Sequence, residues 1–253
     1  MSSWTIGLIS SGCIFGGAIL GMVLRLMLPS HHLKDEAKET IKLAAGMIAT
    51  MAALVLGLLV GSAKSSFDAI NTGFTQVAAK IIQLDRVLAN YGPESKDVRE
   101  LLRNSVAGSI DTLWPSENKG VSVVSAAERA KGIELLQAKI RTLSPQTDTQ
   151  RALLAQAQQL TTDLAQTRWL IIEQAQNELP IPLLVVLVFW LSILFVSFGL
   201  FAPRHATVII VLLVCALSVS GAIFLILEMN RPLEGIVKVS SAPMRKALEH
   251  LGE

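Results

Sequence analysis

Four long apolar stretches, set as two pairs around a polar middle, decide what this chain can fold into. They run from Trp4 to Leu28, Leu43 to Ala63, Ile181 to Phe201 and Thr207 to Leu227, each close to or above the ~20 apolar residues an α-helix needs to cross a bilayer. Lipid offers an exposed amide no partner, so such stretches fold as helices that satisfy their own backbone. The expected fold is an all-α membrane protein: four transmembrane helices with a helical-bundle insert between the second and third. The expected segments are helices 1 and 2 in 1–63, an extramembrane bundle or coiled-coil insert in 64–179, helices 3 and 4 in 180–228 and a C-terminal tail in 229–253.

With 51% hydrophobic and 17% charged residues, the chain is too apolar for an ordinary soluble domain, and its charges are segregated. Between Lys64 and Glu178, Lys plus Arg equal Asp plus Glu. The middle therefore carries no electrostatic footprint for nucleic acid, which is excluded as a partner. The two cysteines, Cys13 and Cys215, fall inside apolar stretches and read as small buried packing residues rather than a disulfide or a metal knuckle. The first stretch lacks a basic n-region and outruns a signal-peptide core, so it is expected to remain as a helix.

Four crossings put both termini, the middle and the tail on one side, and the Pro29 to Lys42 and Ala202 to Ala206 loops on the other. Lys34, Lys38 and Lys42 with Arg25 in the first loop, and Arg204 set against Glu173 and Glu178, favour cytoplasmic loops and an extracytoplasmic middle. Arg231, Lys238, Arg245 and Lys246 in the tail pull the other way.

The helical pattern of the second stretch continues past the membrane, since no Pro interrupts Leu43 to Tyr91 and the first strong breaker is Gly92-Pro93. Phe67, Ile70, Phe74, Val77, Ile81, Leu84 and Leu88 recur at alternating spacings of 3 and 4, an a/d seam that packs either against helices of the same chain or against another copy. Further helices are expected over Glu94 to Leu113, Val123 to Leu143, and from Thr147–Thr149 to Leu179, each ended or followed by Pro. Gly12, Gly16, Gly17 and Gly21 on the first stretch, and Gly46, Thr50, Ala53, Gly57 and Gly61 on the second, form stripes that let helix backbones approach closely. The third stretch, bulky on most faces, is the expected lipid-facing helix.

No Walker loop, GxGxxG, HExxH or nucleophile elbow is present, so neither an enzyme nor a cofactor is expected. Adjacent His31 and His32 point to different sides of most backbones and read as a loop, not a metal site. The informative polar residues lie at helix ends. Lys64 and Asp68 stand at i, i+4 after the second stretch, and Glu228, Asn230 and Arg231 close the fourth. By the parity of the crossings both groups reach one membrane face, where an ionisable group is either a paired collar or a site. Ser218, Gly221, Leu225 and Glu228 share one face of the fourth helix, and repeated around an axis that face would line a pore with a Glu228 ring. Lys64, Asp68, Asn230 and Arg231 would shape its mouth or gate.

At these residues the chain resembles the bestrophin-like membrane proteins of bacteria and plants. The resemblance is carried by Val55 to Val60 running into Ala63-Lys64-Ser65-Ser66-Phe67-Asp68, by Leu84-Asp85-Arg86 with Tyr91-Gly92-Pro93-Glu94, and by Ser197-Phe198-Gly199-Leu200-Phe201-Ala202-Pro203. It continues through Leu217 to Glu228, Arg231-Pro232 and Ser240-Ser241-Ala242-Pro243. It implies a four-span protein with a helical insert in a cell membrane, a bacterial inner membrane among them. The family label implies an anion channel, but the aromatic neck pattern of true bestrophins is not found here, and Asn230 stands where many relatives carry Asp. The expectation is a homo-oligomeric ion channel in the lipid bilayer, cation-conducting through Glu228, with Ca²⁺ among the candidate ions because hard cations suit oxygen ligands. The alternative is a sensor or scaffold whose bundle binds a partner.

Overall fold

The computed structural model describes residues 3–27, 35–115, 132–176, 180–203, 205–233 and 235–252, apart from the side chains of 35–37. His31, His32, Lys34, Glu178, Arg204 and the 123–131 start of the third middle helix lie outside that description. The described residues are helical, with no strand among them. In chain order the helices are α1 (Ser3–Met27), α2 (Asp35–Tyr91), α3 (Lys96–Leu113), α4 (Gly132–Arg141), α5 (Asp148–Gln176), α6 (Ile181–Phe201), α7 (Ala206–Met229) and α8 (Ala242–His250). Four of these, α1, α2, α6 and α7, contain stretches long and apolar enough to cross a membrane.

The chain divides into two compact units, one of 1–66 with 178–231 and the other of 67–177 with 232–253. In the first, α1 packs tightly on α6. Gly17, Gly21 and Gly199 make this possible: a Cβ on Gly17 would lie 2.7 Å from the Ser192 carbonyl oxygen, and Cβ atoms on Gly21 and Gly199 would collide with the carbonyls of Val196 and Ala18. Close backbone approach of this kind gives helices in lipid their van der Waals contact. Arg25 in the last turn of α1 donates to the Ala202 carbonyl just past the end of α6, satisfying an acceptor that the helix leaves open. On another face α1 meets α7, where the Trp4 and Phe224 rings touch at a 45° tilt with centroids 4.6 Å apart.

Two expectations change here. The third stretch, α6, is not simply lipid-facing, because it buries Leu187, Leu191, Leu194, Phe195 and Gly199. A helix bulky on every face still needs one face to pack, and the small residues of α1 provide the fitting surface. Cys13 and Cys215 are exposed on the chain's surface rather than buried within it.

The second unit is a helical bundle around one core. Ile70, Phe74, Ile81, Leu84 and Leu88 are buried in it, with Phe67 and Val77 packed alongside, so the heptad seam of α2 faces helices of its own chain. Gly92, at φ 125°, turns the chain out of α2, and the 3-10 turn Pro93–Ser95 leads directly into α3. Lys80 Nζ donates to Thr167 Oγ1 at 2.8 Å and ties α2 to α5. The residues after 231, expected as a tail, enter the same core through Val239, Met244, Ala247 and Leu251. The Trp114 indole N–H, buried at the end of α3, donates to the Val239 carbonyl at 2.8 Å.

Candidate functional site

In the first unit α2 differs from its neighbours. Only 11% of its most apolar stretch is buried, against 28% in each of α1, α6 and α7. Its buried residues Ala52, Leu59 and Ala63 lie along one side. Roughly opposite, within an arc of about 80° at 3.6 residues per turn, stand Gly46, Thr50, Ala53, Gly57, Gly61 and Lys64, all exposed. A Cβ added at Gly46, Gly57 or Gly61 would meet nothing within 4 Å. The glycines divide by face and not by helix: Gly17 and Gly21 of α1 are buried against α6, whereas Gly12 and Gly16 of α1, like Gly46, Gly57 and Gly61 of α2, are exposed with open space around them. Thr50 returns its hydroxyl proton to the Met47 carbonyl at 2.8 Å, so this face of α2 presents lone pairs and Cα–H surface instead of bulky hydrocarbon.

The residues singled out on α7 fall into two groups. Ser218, Gly221 and Leu225 are exposed, the Ser218 hydroxyl donating to the Val214 carbonyl at 2.8 Å. Glu228, on the same helical face at the last turn, is only 3% exposed. Asn230 is half-buried and Arg231 exposed; their backbone amides donate to Ile226 and Glu228 carbonyls and close the helix. Lys64 and Asp68 are exposed, and the division of the chain assigns Asp68 to the second unit. Lys64, Asp68, Glu228 and Arg231 each take part in an interaction within the fold. No group of three or more His, Cys, Asp or Glu side chains suited to a metal occurs among the described residues.

The second unit holds a buried ion pair between Asp85, in the segment Leu84-Asp85-Arg86, and Arg99. Asp85 is 1% exposed, and Arg99 of α3 grips it with Nε at 2.7 Å and Nη2 at 2.8 Å. The Gly252 N–H adds a third bond at 3.3 Å. Asp85 lies 22 residues beyond Ala63 in sequence, well past the apolar run. Burial alone raises its pKa, but the hydrogen bonds from Arg99 and Gly252, with the charges of Arg99 and Arg86, outweigh that and hold the carboxyl below its usual value. The available signal was an acidic residue one place from the Leu84 seam position, with an arginine on the next helix.

Helices of membrane-crossing length and composition make this an all-α membrane protein. A family model for the Bestrophin-like domain matches residues 12–244, and the chain belongs to that family. The fold is similar to crystal structures of a bacterial bestrophin homologue from Klebsiella pneumoniae in several variant forms. One gives a TM-score of 0.69 at 13% identity, covering 99% of this chain and 97% of that one. Another gives 0.63 at 15% identity, covering 96% and 97%. At such identity the likeness concerns the fold. Comparison with curated proteins by sequence gives no match.

Proposed function

We propose that copies of this chain assemble in the bilayer, through four crossings per subunit, into an ion channel whose pathway runs along the exposed small face of α2. The observation that carries this reading is the pairing of an apolar, membrane-length helix with an exposed stripe of Gly, Thr and Ala, open at its glycines, that runs to Lys64. Facing lipid, such a stripe forfeits the contacts that bulky side chains make; facing an axis shared with other copies, it leaves room for water and ions. Bestrophin-like membership and the resemblance to bestrophin homologues support a channel in general terms.

Ser218 and Gly221 on α7 are the second candidates for lining, with Lys64, Asn230 and Arg231 at the boundary and Asp68 on the following turn of α2. The cation preference, Ca²⁺ included, rests on Glu228. Its burial means that its carboxylate would act on ions through its field unless assembly exposes it, while the exposed charge on the α2 stripe is the cation of Lys64. Reconstitution in liposomes without other proteins is the test. Ion flux that falls at least tenfold in Gly57→Leu, with reversal potential shifted in Lys64→Gln or Glu228→Gln, supports the channel and names the selecting charge. Absence of flux from correctly assembled protein overturns it and favours the sensor or scaffold alternative, in which the second unit binds a partner.

A further inference from the structure

The second unit contains a cavity of about 510 Å³, in the ~300–1,000 Å³ range of small-molecule sites. Its walls come from separate elements: Phe74 and Ile81 of α2, Leu136 of α4, Ile171 of α5 and Met244 of α8. Polar groups are few. Ser105, Ser109 and Thr112 follow one side of α3, and Arg168 of α5 is the one charged side chain among the described lining residues. The hydroxyls of Ser109 and Thr112 already donate to the Ser105 and Gly108 carbonyls at 2.8 and 2.7 Å.

We infer that this cavity binds a single-chain anionic amphiphile, with the hydrocarbon chain against the apolar walls and the anionic head on Arg168. The space is partly open to solvent and its walls are mostly apolar, so an apolar occupant that displaces water from them is favoured. Arg168 brings a guanidinium to this lining, and its planar fork suits a carboxylate or phosphate. Arg168 has an interaction within the fold. With five N–H donors it still has capacity for a ligand's oxygens. With the Ser109 and Thr112 protons spent, the Ser105 hydroxyl and Arg168 stay as donors among the described lining residues, and Arg168 alone of these is charged, so the expected recognition is ionic. Nothing in this inference depends on conduction.

The head group could be the carboxylate of a free fatty acid or the phosphate of a lysophospholipid, and competition separates the two. The full chain in detergent micelles would be titrated with a fluorescent polyene fatty acid and with its methyl ester. The expected result is saturable binding of about one acid per chain. Arg168→Gln weakens it roughly tenfold or more, the worth of a charge-assisted hydrogen bond, Arg168→Lys partly restores it, and the ester binds weakly to all three. Ser109→Phe, which places a ring in the cavity and narrows it, weakens binding while the thermal transition stays within a few degrees. Displacement by unlabelled laurate identifies a carboxylate site, and displacement by lysophosphatidic acid alone a phosphate site. The inference is overturned if binding does not saturate, if acid and ester bind alike, or if Arg168→Gln has no effect with folding intact. It is also overturned if cross-linking shows residues 116–131 of the chain occupying the cavity.

Discussion

Asp85→Asn tests the architecture of the second unit with one change of almost constant volume. The native carboxylate accepts two hydrogen bonds from Arg99 and one from the Gly252 amide. An amide has one oxygen to offer where the carboxylate had two, and no charge to balance the guanidinium. Removing one partner of a buried ion pair costs about 3–5 kcal/mol. The Arg99 side chain keeps 23% exposure, so water recovers part of that and the expected loss is about 2–3 kcal/mol. Replacing both residues, Asp85→Leu with Arg99→Leu, leaves no uncompensated charge and is expected to cost less than the sum of the two single changes. Hydrogen exchange read by mass spectrometry on the full chain gives local resolution. Because Gly252 is held directly, exchange across 242–252 in Asp85→Asn should accelerate roughly 30-fold or more, the kinetic equivalent of about 2 kcal/mol. Exchange within twofold of the unmodified protein, or strictly additive effects in the double change, would refute the reasoning.

Acid should find the same cluster. Its pKa is lowered on folding, so the stability Asp85 supplies is present in full above about pH 4 and lost as pH falls through the lowered folded value; Asp85→Asn should remove that part of an acid-unfolding profile followed by circular dichroism. Gly199→Leu drives a side chain into the Ala18 carbonyl and should abolish recovery of monodisperse protein, whereas Gly57→Ala, with open space around it, should leave the yield and thermal transition of the subunit unchanged. Trp114→Phe strands the buried Val239 carbonyl and should lower stability by about 1–3 kcal/mol in denaturant titrations. Tyr91 carries a buried hydroxyl without a hydrogen bond among the described residues, so Tyr91→Phe should be neutral or stabilising, and a loss above ~1 kcal/mol would show that the hydroxyl has a partner.

Periodicity and breakers made the helices legible. The third stretch, Ile181 to Phe201, coincides with α6, and the fourth extends by only a residue or two at each end. The unbroken run to Tyr91 is one helix of 57 residues. What periodicity does not encode is the partner of a face. Gly17 and Gly57 look alike in sequence because both offer a small surface, yet one is pressed against a carbonyl and the other has open space. The burial of α6 escaped notice for the complementary reason, since a uniformly bulky helix has no pattern from which a packing side can be chosen. Glu228 shares a helical face with Ser218 and Gly221, but angle along a helix says nothing about what covers its final turn. The contribution of α8 was hidden by its brevity: Met244 and Ala247, with Leu251 just beyond it, are too few to stand out as a stripe, and their role depends on a core built by residues far earlier in the chain, from Ile70 to Ile171.

That dependence carries a consequence for biosynthesis. Trp114 waits for Val239, and Asp85 for Gly252, so the bundle's central bonds close only after both later hydrophobic helices have been threaded out of the ribosome. At ordinary elongation rates the interval between Trp114 and Val239 is roughly 6–25 s. During it the half-built core exposes the surfaces that these late residues cover, which makes a stalled or prematurely terminated nascent chain distinguishable to chaperones and proteases from a finished one.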